Sequence, residues 1–185
     1  MKKVEHGKTF DRNAATPPAF EIFHNTVTEG YPEHWHTAIE IIMPTRGEYE
    51  VVVGKDSYNL KEGDIIMINS GVVHGMRFVS QGERIVMLVE PGCVENQEEM
   101  ETIFLRLPAI YFKKEDEEDP FYLFLRSQIL ELVREYDNEG AVMTHRICTG
   151  LKELFSEFGR KGFSDANAQN TFGAMKQQEY IEAVL

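Results

Sequence analysis

Cysteine is nearly absent. Cys93 and Cys148 are the only two in 185 residues, too few and too unlike any metal-site spacing for a disulfide framework or a zinc ribbon. They read as two reduced thiols of a cytosolic protein. Positive charge is also scarce, with 19 Lys and Arg against 31 Asp and Glu and a formal net charge of −12. Phosphate recognition needs clustered Lys and Arg, and so acidic a chain repels polyanions at long range, which argues against DNA, RNA or an anionic membrane as a direct partner. No apolar run approaches the ~20 residues that a membrane span requires. The N-terminal stretch "MKKVEHGKTFDRNAATPP" has charge at its start but no apolar segment behind it, so it does not read as a signal peptide. A cytoplasmic location is expected. What remains is an ordinary globular composition, 42% hydrophobic and 27% charged, in a chain long enough for one domain with an appendage.

Residues 1–18 are polar and end in Pro17-Pro18, which predicts a loose arm. From residue 19 to 92 the pattern is short strand-like runs between turns: "AFEIFHN", "AIEIIM", "YEVVV", "YNL", "IIMI" and "RIVMLVE". Strands this short, separated by "TRGE", "GKDS", "KEGD" and "SQGE", predict an antiparallel sandwich or barrel and leave no room for crossover helices. Residues 93–160 change character. After the short, acidic "VENQEEMETIFLRL", which has helical spacing, and the charge run "KKEDEEDP", Asp119-Pro120 supplies an N-cap and a first helical residue. The helix that follows carries Leu125, Ile129, Leu132, Val133 and Tyr136 on one face, and Asn138-Glu139-Gly140 stops it. A second helix over about 141–158 carries Met143, Ile147, Leu151, Leu154, Phe155 and Phe158. The short link makes an antiparallel hairpin whose stripes bury either on the barrel or on an identical hairpin of a partner chain. Residues 161–185 read as a linker and the opening of a helix, "EYIEAVL", that no cap or Gly closes; a chain that continues beyond it is expected.

The chemistry is concentrated in "HWHTAIEIIMPTRGE". His34, His36 and Glu40 share parity with Ala38 and Ile42, so a regular strand would send them all to one face, the interior. Histidines at i and i+2 can reach one ion. Glu40 lies ~13 Å further along a flat strand, too far to share that ion unless the chain bends around Thr37-Ala38. His74, in "NSGVVHGMRF", is the fourth candidate; His6 sits in the arm, His24 lies on a strand without ligand-type neighbours, and His145 reads as a surface residue of the second helix. Inward parity on adjoining strands nominates Tyr49, Val51, Val53, Met76 and Phe78, of which Tyr49 and Phe78 could stack a ring or a sugar face.

His34, His36, Glu40 and Gly47 together resemble the first half of the cupin superfamily's double signature, G-x5-H-x-H-x3-E-x6-G. Gly63, Gly71 and His74 resemble its second half, G-x5-P-x-G-x2-H-x3-N. Asn69 stands where the family has proline, Phe78 where it has asparagine, and Gly30 stands two residues nearer His34 than the pattern's first glycine, but the four ligand-type positions are intact. The resemblance implies a jelly-roll barrel over about 19–90 and a pocket lined by these residues. The order of barrel, hairpin and linker is also similar to the N-terminal effector-binding domain of AraC-type transcription regulators. That likeness implies dimerisation through residues 120–158 and DNA contact only through a domain beyond this chain.

Two functions follow as expectations. One is a sensor in which a small-molecule effector, a sugar among the candidates, binds inside the barrel to His34, His36, Glu40 and His74, directly or through a divalent Zn, Ni, Fe or Mn ion. The other is a metal-dependent cupin enzyme, a dioxygenase or isomerase, for which the sequence offers no further acid, base or oxyanion donor at a diagnostic spacing. Histidines kept only for packing are a third possibility, against which stands the cost of burying a carboxylate and three imidazoles without partners.

Overall fold

The computed structural model describes residues 20–26, 30–93, 108–114, 119–138 and 142–161. The expected arm, the helical spacing at 94–107 and the final linker and helix lie outside them. Nine strands form two antiparallel sheets. They are β1 (Phe20–Asn25), β2 (Tyr31–His34), β3 (Ile39–Arg46), β4 (Tyr49–Val53), β5 (Asp56–Leu60), β6 (Ile65–Ile68), β7 (His74–Phe78), β8 (Glu83–Val89) and β9 (Ala109–Phe112). The five-stranded sheet runs β1-β8-β3-β6-β9 and the four-stranded sheet β2-β7-β4-β5. Two helices follow, α1 (Pro120–Asp137) and α2 (Met143–Lys161). This is a jelly roll carrying a helical hairpin.

Alternation along the strands divides the core in two. Ile39, Ile41 and Met43 of β3, Ile65 and Met67 of β6, and Ile85, Met87 and Val89 of β8 face outward from the barrel. They pack with Leu125, Ile129, Leu151, Leu154, Phe155 and Phe158 of the helices. The opposite parity, Ile42, Tyr49, Val51, Val53, Leu60, Ile66, Ile68 and Met76, fills the interior. β3 is therefore apolar on both faces, because the hairpin covers its outer one. Of the two burials expected for the helical stripes, packing on the chain's own barrel is the one found, and Leu151 and Phe155 are fully buried in the core between helices and sheet. Asp119 caps α1 as expected, its carboxylate accepting from Phe121 N at 2.8 Å.

β9 departs from the sequence reading. Residues 109–112 fall in the stretch assigned to the helical appendage, yet they pair with β6 in register from Ile65↔Phe112 to Ile68↔Ala109. Buried Asp64 secures this edge by accepting from Tyr111 OH at 2.6 Å, Lys114 N at 2.8 Å and Lys61 N at 2.9 Å.

Candidate metal centre

The bend that Glu40 requires is a change of sheet. His34 ends β2 in the four-stranded sheet, where it pairs with His74, and Glu40 lies on β3 in the five-stranded sheet, opposite Leu88 and Ile68. Residues 35–38 carry the chain across. His34 and Glu40 therefore approach each other from two walls, not along one strand. The crossing is fastened at His36, whose carbonyl accepts from Gly71 N at 2.8 Å. Gly71 has φ +75°, a region open to glycine at little cost, so the turn before His74 also sets the position of His36.

The donor atoms of His34, His36, Glu40 and His74 all lie within 4.8 Å of one another. Each imidazole is oriented by the backbone. Nδ1 of His34 donates to Pro32 O at 2.9 Å, that of His36 to Ala38 O at 2.9 Å, and that of His74 to Val72 O at 2.8 Å. With the proton on Nδ1, a neutral ring presents its Nε2 lone pair, and such anchoring is the usual support of a metal-ligating histidine. Nε2 of His36 and Nε2 of His74 both lie 2.9 Å from the same oxygen, Glu40 Oε2. Two lone pairs cannot face a carboxylate oxygen at that distance unmediated; each contact needs a proton or a metal cation.

The protonation energetics agree. Burial opposes the charge on Glu40, but the hydrogen bonds from His36 and His74 outweigh it and bring the carboxyl down to about 2. Burial also works against a charged His74, yet Glu40 raises it above its ordinary 6.5. His34 is lowered, chiefly by desolvation, which keeps its ring neutral. In the absence of metal, then, a proton on His74 balances the buried carboxylate. Three imidazole nitrogens and one carboxylate oxygen suit a divalent transition metal. Donors at about 2.1 Å from one ion stand at most about 4.2 Å apart, so a small contraction completes the set.

Tyr49 and Phe78 do not join this group. They pair with each other across β4 and β7, and His74 sits opposite Val53 at the other end of that pair. Tyr49 is fully buried, its ring edge-on to Phe78 at 6.5 Å. The sequence reading missed Arg84 and Tyr31. Arg84 is fully buried, and its guanidinium carbon lies 4.8 Å from the Tyr49 ring centre and 5.5 Å from that of Tyr31. A signal existed: within "RIVMLV", residue 84 has the parity opposite to that of Ile85, Met87 and Val89.

Comparison with known proteins agrees with this geometry. The family model described as Cupin domain matches residues 25–90, the stretch that holds all four donors, so the chain carries a cupin domain. No curated protein matches the sequence. Among solved structures, ToxT of Vibrio cholerae is similar at a TM-score of 0.49 and 10% identity, over 78% of this chain and 57% of that one. Oxalate decarboxylase of Bacillus subtilis is similar at 0.36 and 18%, over 39% of this chain and 21% of that one. A conserved protein of unknown function from Streptococcus pyogenes is similar at 0.35 and 18%, over 39% and 63%. The chain spans less than two thirds of each. No helix among the described residues is long and apolar enough to cross a membrane.

Proposed function

We propose that this chain is the small-molecule-sensing domain of an AraC-type transcription regulator. The effector binds inside the barrel, at a divalent metal held by His34, His36, Glu40 and His74. The metal supplies a Lewis-acid anchor for an oxygen or nitrogen of the ligand; the chain's own residues orient and enclose it.

One observation carries the sensing part of this reading. Glu40, which faces the pocket, sits between Ile39 and Ile41, which pack outward into the core shared with α1 and α2. A change in charge or position at Glu40 reaches the hairpin through a single strand. Coupling of 1–3 kcal/mol is typical of such regulation and needs only that the ligand favour one packing of the hairpin over another. The shared core also assigns Leu151 and Phe155 to the chain's own stability, so a dimer formed through residues 120–158 would use the outer face of the hairpin, where Leu123 is exposed. The test is hydrogen exchange with and without added zinc or manganese. Slowed exchange in α1 and α2 supports the sensor; protection confined to β2, β3 and β7 counts against it.

The donor set also favours a second reading. Three histidines and a carboxylate leave two positions open on a six-coordinate ion, as a metal-dependent dioxygenase or isomerase requires. Turnover by metal-loaded protein would favour this alternative.

A further inference from the structure

We propose that the ligand of the metal centre is an aromatic ring bearing two adjacent oxygen donors, a catechol-type diol, whose ring lies in an apolar slot between β1, β8 and β2. This rests on the proposed function in taking an ion at His34, His36, Glu40 and His74 as present.

The slot follows from how unevenly the interior is filled. The interior core draws on β3, β4, β5, β6, β7 and β9 and takes no residue from β1, β2 or β8. Yet those three strands also turn apolar side chains inward. Phe23 pairs with Val86, Val86 with Ile42, and Leu88 with Glu40, all with parity opposite to the helix-facing Ile22, Ile85, Met87 and Val89. Tyr31 pairs with Met76 of the interior core. Phe23, Val86, Leu88 and Tyr31 nevertheless belong to neither core. Phe23 and Leu88 are half-buried, and Tyr31 is 41% exposed. The barrel is thus packed on its β5 and β9 side, and the space on its β1 and β2 side is left for a ligand.

This space runs into the metal centre. Leu88 lies beside Glu40 on the adjoining strand, and the Tyr31 ring centre is 6.5 Å from that of His34. Tyr31 is exposed but pinned. Its hydroxyl accepts from Asn25 Nδ2 at 3.0 Å, and its ring centre lies 5.5 Å from the Arg84 guanidinium carbon. It forms a fixed wall of the slot.

These features select the ligand's chemistry. A sugar needs a polar partner for each buried hydroxyl, and Phe23, Val86 and Leu88 supply none. Ring and aliphatic faces between sheets about 10 Å apart favour a flat apolar body instead. Its polar end is set by the ion. Four protein donors leave two positions on a six-coordinate ion, which two adjacent oxygens fill together. Glu21, opposite Leu88 on the edge strand, disfavours a further negative charge on the ring.

The experiment uses the whole chain loaded with zinc, which has no redox chemistry of its own. Uptake is measured first, by elemental analysis. Calorimetry then compares two pairs of probes. Catechol and resorcinol differ only in the placing of one hydroxyl, and benzohydroxamate and acetohydroxamate carry the same chelating group on a phenyl or a methyl. Catechol is expected to bind about tenfold or more tightly than resorcinol, because its second oxygen binds intramolecularly. Benzohydroxamate should exceed acetohydroxamate by about tenfold or more, from the apolar area its ring buries. Phe23→Ala and Tyr31→Ala should each cut that ring advantage about two- to tenfold. Equal binding within either pair by the zinc-loaded unmodified chain overturns the inference, whether or not a variant folds. So does a ring advantage undiminished in a folded variant. Zinc uptake without the two preferences overturns this inference alone, whereas an unmodified chain that takes up no zinc overturns the metal reading and this inference with it.

Discussion

Glu40 Oε2 lies 2.9 Å from His74 Nε2, joining the five-stranded sheet to the four-stranded one through a single contact. Its dependence on pH separates the metal-free protein from the loaded one. Without metal, Glu40 is lowered from 4.5, so its contribution to stability is present above 4.5 and is lost as pH falls towards 2. His74 is raised, so its contribution is present below 6.5 and is lost as pH climbs through its folded value. The metal-free melting temperature should therefore peak between pH 4.5 and 6.5 and decline above. With metal the alkaline limb reverses, because binding requires His74 to shed its Nε2 proton. Melting curves from pH 4 to 9, with chelator and with zinc, check both limbs; parallel curves would show that no metal engages this pair.

Gly71 has open space where a Cβ would stand but a φ of +75°. Gly71→Ala thus incurs only the left-handed conformation, about 1–2 kcal/mol. Because Gly71 N holds the His36 carbonyl, metal affinity should fall along with stability. Zinc titration of a variant that remains folded measures this, and an unchanged affinity would detach the turn from the centre.

Leu151→Ala should cost about 2–5 kcal/mol and Phe155→Ala about 3–5, since both side chains lie wholly within the core shared by hairpin and sheet. Leu123→Ala, at an exposed position, should change stability by less than about 0.5 kcal/mol. Denaturant unfolding gives the three values, and sedimentation of the Leu123 variant tests whether the outer face holds a dimer together.

Tyr111→Phe removes the hydroxyl that reaches Asp64 at 2.6 Å and should destabilise by about 1–3 kcal/mol. A neutral result would mean that β9 is held by its backbone pairing with β6 alone.

Much of this was legible in the sequence because the deciding signals are local. The run "IIMI", the Gly-containing turns and the Asp119-Pro120 cap each act within a few residues. The four donors were legible by spacing, but shared parity placed His34 and Glu40 on one strand, when a change of sheet brings them together. β9 was missed because "AIYF" is too short to show a period, and its strand character comes from β6, some 40 residues earlier in the chain. Arg84 was missed because a charged residue beginning an apolar run looks like a strand end; only pairing with both β1 and β3 places it inside.

The central claim is that His34, His36, Glu40 and His74 hold one divalent ion. Elemental analysis of the whole chain, purified without chelator or metal-affinity resin, tests it most directly, with Glu40→Gln and His74→Ala prepared alongside. The account predicts close to one transition-metal ion per unmodified chain and a marked loss in both variants. A folded unmodified chain that carries no metal, and takes up none when zinc, manganese, nickel and iron(II) are offered, would contradict it.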